Sequence, residues 1–173
     1  MDTLILARVV VDGAVLSLLL GALIIGSLLW NPRLWMQDYP EPIRARMAPL
    51  TPAERRERGL LTVPFLGILL VVPLVSTYLV FQANGGTLSF LTAYLHIFLL
   101  LSMFNLFDAV VIDWLFIVVM KPKAVMVPEA AGLEYTMTDR RMHLVNFLKG
   151  VAFCLVFSAP LALVALLLAN WLA

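Results

Sequence analysis

The stretch Leu60–Met120, LLTVPFLGILLVVPLVSTYLVFQANGGTLSFLTAYLHIFLLLSMFNLFDAVVIDWLFIVVM, holds no lysine or arginine. Two long apolar runs are parted only by the turn signal Ala83-Asn84-Gly85-Gly86. Each run is long enough to cross hydrocarbon as a helix, and in lipid a helix satisfies its own backbone groups. Immediately outside the stretch the charges return. Arg33, Arg44, Arg46, Arg55, Arg56 and Arg58 precede it, and Lys121, Lys123, Arg140, Arg141 and Lys149 follow it. This alternation predicts a membrane hairpin whose turn faces away from both basic clusters.

Working outward, two further apolar runs complete the pattern. Leu4–Trp30 is closed by Asn31-Pro32, and Phe147–Leu172 follows the second basic cluster. The expected spans are residues 4–30, 60–81, 88–120 and 147–172, with loops 31–59 and 121–146. Basic loops stay in the cytoplasm, which puts both termini outside. The chain opens Met1-Asp2-Thr3 without the basic region of a cleavable signal, so its first run is expected to remain as a membrane helix. Trp30 and Trp35 suit one interfacial belt and Trp171 the other.

Composition agrees. Hydrophobic residues make up 62% and charged residues 13%, against about half and a quarter in soluble domains. The net charge of +1 offers no basic excess of the kind nucleic acid binding needs. Cys154 is the only cysteine, which excludes an internal disulfide, a two-cysteine redox site and a thiolate zinc cluster. Its apolar neighbours predict a buried, inert thiol.

Several runs exceed a simple crossing. Leu88–Met120 as one helix would extend roughly 50 Å, against a hydrocarbon core of about 30 Å. Thr51-Pro52-Ala53-Glu54 has the form of a capping box with proline at the first helical position, so the second helix starts well before its apolar run. Thr138–Asn146 can form a helix ahead of the fourth span. The expected architecture is therefore an all-α, four-transmembrane-helix bundle. Helices 2–4 extend into a small cytoplasmic cap, packed by loops whose Asp38-Tyr39-Pro40-Glu41-Pro42, Lys121-Pro122 and Val127-Pro128 read as turns and extended pieces.

Short blocks within residues 31–150 resemble an uncharacterised family of small bacterial four-span integral membrane proteins. They are Asn31-Pro32-Arg33, Asp38-Tyr39-Pro40 with Ile43, Glu54–Arg58, Phe107-Asp108, Asp113-Trp114, Lys121-Pro122, Val127-Pro128 and Lys149-Gly150. The chain departs from the family at Glu129–Tyr135, where Glu-Ala-Ala-Gly-Leu-Glu-Tyr replaces a Gly-Thr-containing turn. The resemblance implies a bacterial inner-membrane helical bundle and supplies no activity, cofactor or partner.

Ionisable side chains inside a span are costly and mark candidate sites. Ser102, Asn105 and Asp108 follow one another at i,i+3 on the third span and Asp113 falls over Ser102, so the four are expected on one side of the helix. One reading is a polar pocket of Asn105, Asp108 and Asp113 completed by Arg33, able to hold a cation, a proton or a cationic head group. The other, which the residues favour, is that loop arginines pair with both acids and tie the cap to the bundle. Arg8 and Asp12 lie at i,i+4 and form an intramembrane ion pair, with a conduit along the first span as the rival reading. Gly13, Ser17 and Gly21 form a small-residue face, for packing within the chain or for a homodimer.

His96 and His143 lie at different depths, which argues against a bis-histidine haem. Asp108, Asp113 and His143 could together hold a metal, but no fixed ligand spacing supports that grouping, and no phosphate loop or nucleophile elbow is present. No cofactor is expected. The cap, rich in Pro, Arg and aromatic residues and without a recognisable reactive group, favours a non-enzymatic accessory or assembly protein presenting it to a membrane-protein partner; the alternative is a small transporter or membrane-embedded lipid enzyme using Asp108 and Asp113.

Overall fold

The computed structural model describes residues 3–172, with side-chain detail from Ile5 onward. Met1, Asp2 and Ala173 lie outside the described residues. Four long helices carry the chain: α1 (Thr3–Trp30), α2 (Pro52–Ala83), α3 (Phe90–Met120) and α4 (Arg140–Leu172). All four are long and apolar enough to cross a membrane. No strand occurs among the described residues. The bundle is apolar on its outside as well as within, with Val63 71% and Val156 75% exposed, as a lipid-facing surface requires.

The helix ends follow their local chemistry. Thr51 and Glu54 close the expected capping box reciprocally, so α2 begins a full two turns before its apolar run. At α4 a single acid caps the helix: Asp139 accepts from the Arg141 backbone N–H at 2.9 Å, and the helix starts at Arg140. Gly85 and Gly86 take φ of +70° and +76° in the α2–α3 turn, a region open to glycine at no steric cost. Lys121 ends α3 in the left-handed conformation, φ +46°, immediately before Pro122.

In the bundle α1 neighbours α2 and α3, and α4 neighbours the same two. The consecutive helices α2 and α3 sit across from one another and pack little together. The core brings Leu16 and Leu20 of α1 against Leu69 of α2, Ile97 and Leu101 of α3, and Leu161 of α4. Cys154 is buried there, as its neighbours predict. The small-residue face of α1 is used within the chain. A Cβ at Gly13 would meet the Met103 sulfur at 2.6 Å, and one at Gly21 would meet the Phe107 ring at 2.5 Å. Both partners lie on α3.

The loops are ordered by a second core. Tyr39, Ile43 and Met47 from the α1–α2 loop bury themselves against Val127, Ala130 and Met137 from the α3–α4 loop. Long-range hydrogen bonds lace the same contact: Tyr39 Oη donates to Val125 O at 2.7 Å, and Arg46 donates to Ala131 O at 3.2 Å.

Candidate functional site: an acid-lined cavity at the end of the bundle

Where α1, α3 and α4 meet the α1–α2 loop, a half-open cavity of about 610 Å³ is left, within the range of small-molecule sites. Ile24, Leu28, Phe65, Phe104 and Ile112 line its apolar wall. Its charged and titratable lining includes the acids Asp38, Glu41, Asp108 and Asp113, with Arg44, His143 and Lys149 as the basic groups.

The backbone of α3 explains how two acids five residues apart share this wall. On an α-helix, residues i and i+5 point about 140° apart. Phe90–Phe107 is α-helical, but Asp108–Met120 widens into a π-helix, in which i and i+5 are the hydrogen-bonded neighbours. Asp108 and Asp113 are thereby stacked on one side, and Ile112 and Ile117 follow the same rule along the cavity. π geometry is rare, and where it occurs, mostly as single-turn bulges, it is frequent at functional sites.

Neither acid is paired with an arginine among the described residues, so the expected arginine ties do not form. Asp108 has no hydrogen-bonding side chain opposite it among them. Asp113 Oδ2 lies 3.1 Å from His143 Nδ1, off the line of a straight hydrogen bond. The other ring nitrogen, Nε2, is 2.9 Å from Met137 O. A carbonyl only accepts, so Nε2 carries a hydrogen.

At the rim, Asp38 is exposed, yet its carboxyl is held above the ordinary value. The surrounding protein mass is the main cause, the Asp113 carboxylate adds to it, and the hydrogen bond from Gln37 opposes it. The Tyr39 hydroxyl is raised as well, by burial and then by Glu129.

Arg33 stands elsewhere. Its guanidinium binds Glu54 through Nε at 2.8 Å, Glu129 through Nη1 at 2.9 Å, and Ala48 O through Nη2 at 2.9 Å. It thus joins the first loop, the start of α2 and the second loop. Asn105 is also outside the cavity: its amide donates to Phe147 O on α4 at 3.2 Å. Of the pocket expected from sequence, the structure brings together Asp108 and Asp113, and adds His143, Asp38 and Lys149. His143 joins Asp108 and Asp113 in the sequence only as a metal grouping without a ligand-spacing motif. Its register against Asp113 depends on the π geometry and the α3–α4 loop.

A separate polar network crosses the other half of the bundle. Arg8 Nη1 lies 3.4 Å from Asp12 Oδ2, the expected pair on α1. Ser76 of α2 donates to the same carboxylate oxygen at 2.7 Å, and His96 Nε2 of α3 lies 2.8 Å from Ser76 Oγ. Among the described residues, no group of three or more His, Cys, Asp or Glu is placed to hold a metal ion. No protein-family model, curated protein or solved structure matches the chain.

Proposed function

We propose that this chain is a multi-pass protein of a bacterial cytoplasmic membrane, with both termini outside and both basic loops in the cytoplasm. There the loops and the extended ends of α2, α3 and α4 form a cap. The cavity beneath it binds the cationic head of an amphiphile whose chain lies along the apolar wall, as a small transporter or a lipid-handling protein would. One observation carries this reading: Asp108 faces a cavity walled by Ile112 and Phe104, with no basic side chain paired to it among the described residues. A carboxylate in such surroundings gains most from a cation brought by a ligand. The second reading, an accessory or assembly protein that presents its cap to a membrane-protein partner or a second copy, draws support from the buried core shared by the two loops.

Ligand-dependent thermal stabilisation in lipid nanodiscs tests the proposal. Dodecyltrimethylammonium at 100 times its dissociation constant should stabilise the protein by about 2.7 kcal/mol, and dodecyl sulfate should not. Asp108→Asn should remain folded and lose that response. If Asp108→Asn unfolds the protein, or if both surfactants act alike, the accessory reading stands instead.

A further inference from the structure

We propose that Asp12, Ser76 and His96 form a proton-binding site inside the bundle, separate from the acid-lined cavity. The site lies about 10 Å from the membrane face that carries the Asn84–Gly86 turn. Ser76 is seven residues before the end of α2, His96 six after the start of α3, and Asp12 nine after the start of α1, at 1.5 Å per residue.

The hydrogen bonds assign the protons of the resting site. Ser76 has one hydroxyl hydrogen, and at 2.7 Å from Asp12 Oδ2 that hydrogen goes to the carboxylate. Ser76 Oγ must then accept from His96, so the 2.8 Å contact is an Nε2–H donation. The imidazole is left with a bare Nδ1. That nitrogen is buried without any hydrogen-bond partner, in a side chain that is 0% exposed. Buried polar atoms of folded proteins are nearly always satisfied; this nitrogen, one of four unpartnered buried side-chain atoms among the described residues, stands at the open end of the Ser76–Asp12 chain, where it can take a proton.

One proton completes the chain. Placed on Nδ1, it makes an imidazolium whose charge reaches Asp12 through Ser76. It can also be passed on. The Nε2–H and Ser76 O–H bonds break as a new Ser76 O–H and an Asp12 O–H form, leaving neutral His96 and a neutral carboxyl. No electrons change hands and no other reactant is needed. In that second form Asp12 no longer holds Arg8, whose side chain is 38% exposed and already near the helix end.

Among the described residues, the charged groups facing the site are Arg8 and Asp12 on α1. Leu60–Ala83 of α2 and Val151–Leu172 of α4 contain no charged side chain, and His96 is the only ionisable imidazole or acid in Phe90–Phe107. Of the phenols on the same helices, Tyr94 donates to Leu155 O and Tyr78 accepts from the Gln82 amide.

The test is ¹⁵N NMR of the imidazoles in the full chain in lipid nanodiscs, across about pH 4 to pH 9. His143→Gln leaves His96 as the only imidazole. At the alkaline end the spectrum should show an Nε2–H tautomer with bare Nδ1, and acidification should protonate Nδ1. Ser76→Ala should shift that midpoint by at least about one pH unit, a tenfold change in proton affinity, and Ser76→Thr should restore it. Asp12→Asn keeps an oxygen that can accept from Ser76 but removes the carboxylate, and should also shift the midpoint by about tenfold or more. An Nδ1 that stays in one state throughout, or a midpoint indifferent to both Ser76→Ala and Asp12→Asn, overturns the proposal.

Discussion

Asp38 shows how a rim residue can carry a pH signature for the whole cavity. Its carboxyl is raised by crowding and by Asp113, so the native state holds this proton more tightly than the unfolded chain does. The stabilisation is complete below the ordinary carboxylate value. It declines as pH rises through the raised one. Asp38→Asn should remove that decline, flattening the loss of thermal stability on the acid-to-neutral side, with no gain at the most acid end. Thermal unfolding in nanodiscs over a pH series checks both arms. Residue-level partnerships were the least legible part of the sequence. Arg33 stands beside Asn31-Pro32 and could have reached any loop acid. What selects Glu54 and Glu129 is three donors in one planar fork meeting three acceptors on three segments, and that needs the fold.

At the scale of elements, the extents of the helices were readable and their internal geometry was not. Thr51-Pro52-Ala53-Glu54 announced where α2 starts because a cap is a local chemical device. The widening of α3 after Phe107 leaves no comparable mark: DAVVIDWLFIVVM is as apolar as the α-helical half before it. Counting that segment at 3.6 residues per turn therefore sets Asp113 over Ser102, about 140° round from Asp108. Close packing between elements is the more testable feature. At Gly150 of α4 a Cβ would strike the Asn105 amide, which cannot retreat without giving up Phe147 O. Gly150→Ala should cost about 1–3 kcal/mol by overpacking. Gly26 has nothing within 4 Å, so Gly26→Ala should be neutral or gain up to about 1 kcal/mol from helix propensity. Equal effects at the two sites, measured by reversible unfolding in mixed micelles, would rule out the α3–α4 contact at Asn105.

For the molecule as a whole, four spans followed from where lysine and arginine are absent, a pattern written along the chain and needing no tertiary knowledge. Its strict consequence is a threading. Single cysteines at Ala83 and Arg56, both exposed, should react with an impermeant maleimide from opposite faces of sealed vesicles, while Cys154, 3% exposed, stays silent. Labelling of both from one face would be incompatible with the bundle as a spanning structure. The spatial order of the helices could not be anticipated, since apolar stripes say which face is buried and not by whom. That order matters for biogenesis. Helices that leave the ribosome as a hairpin, α2 and then α3, are not each other's main partners; α1 and α4 are wedged between them. During synthesis α1 can therefore already bridge α2 and α3, while the opposite side of that pair stays open until α4 arrives, and a chain stalled before α4 would present two half-covered helices to quality-control proteases.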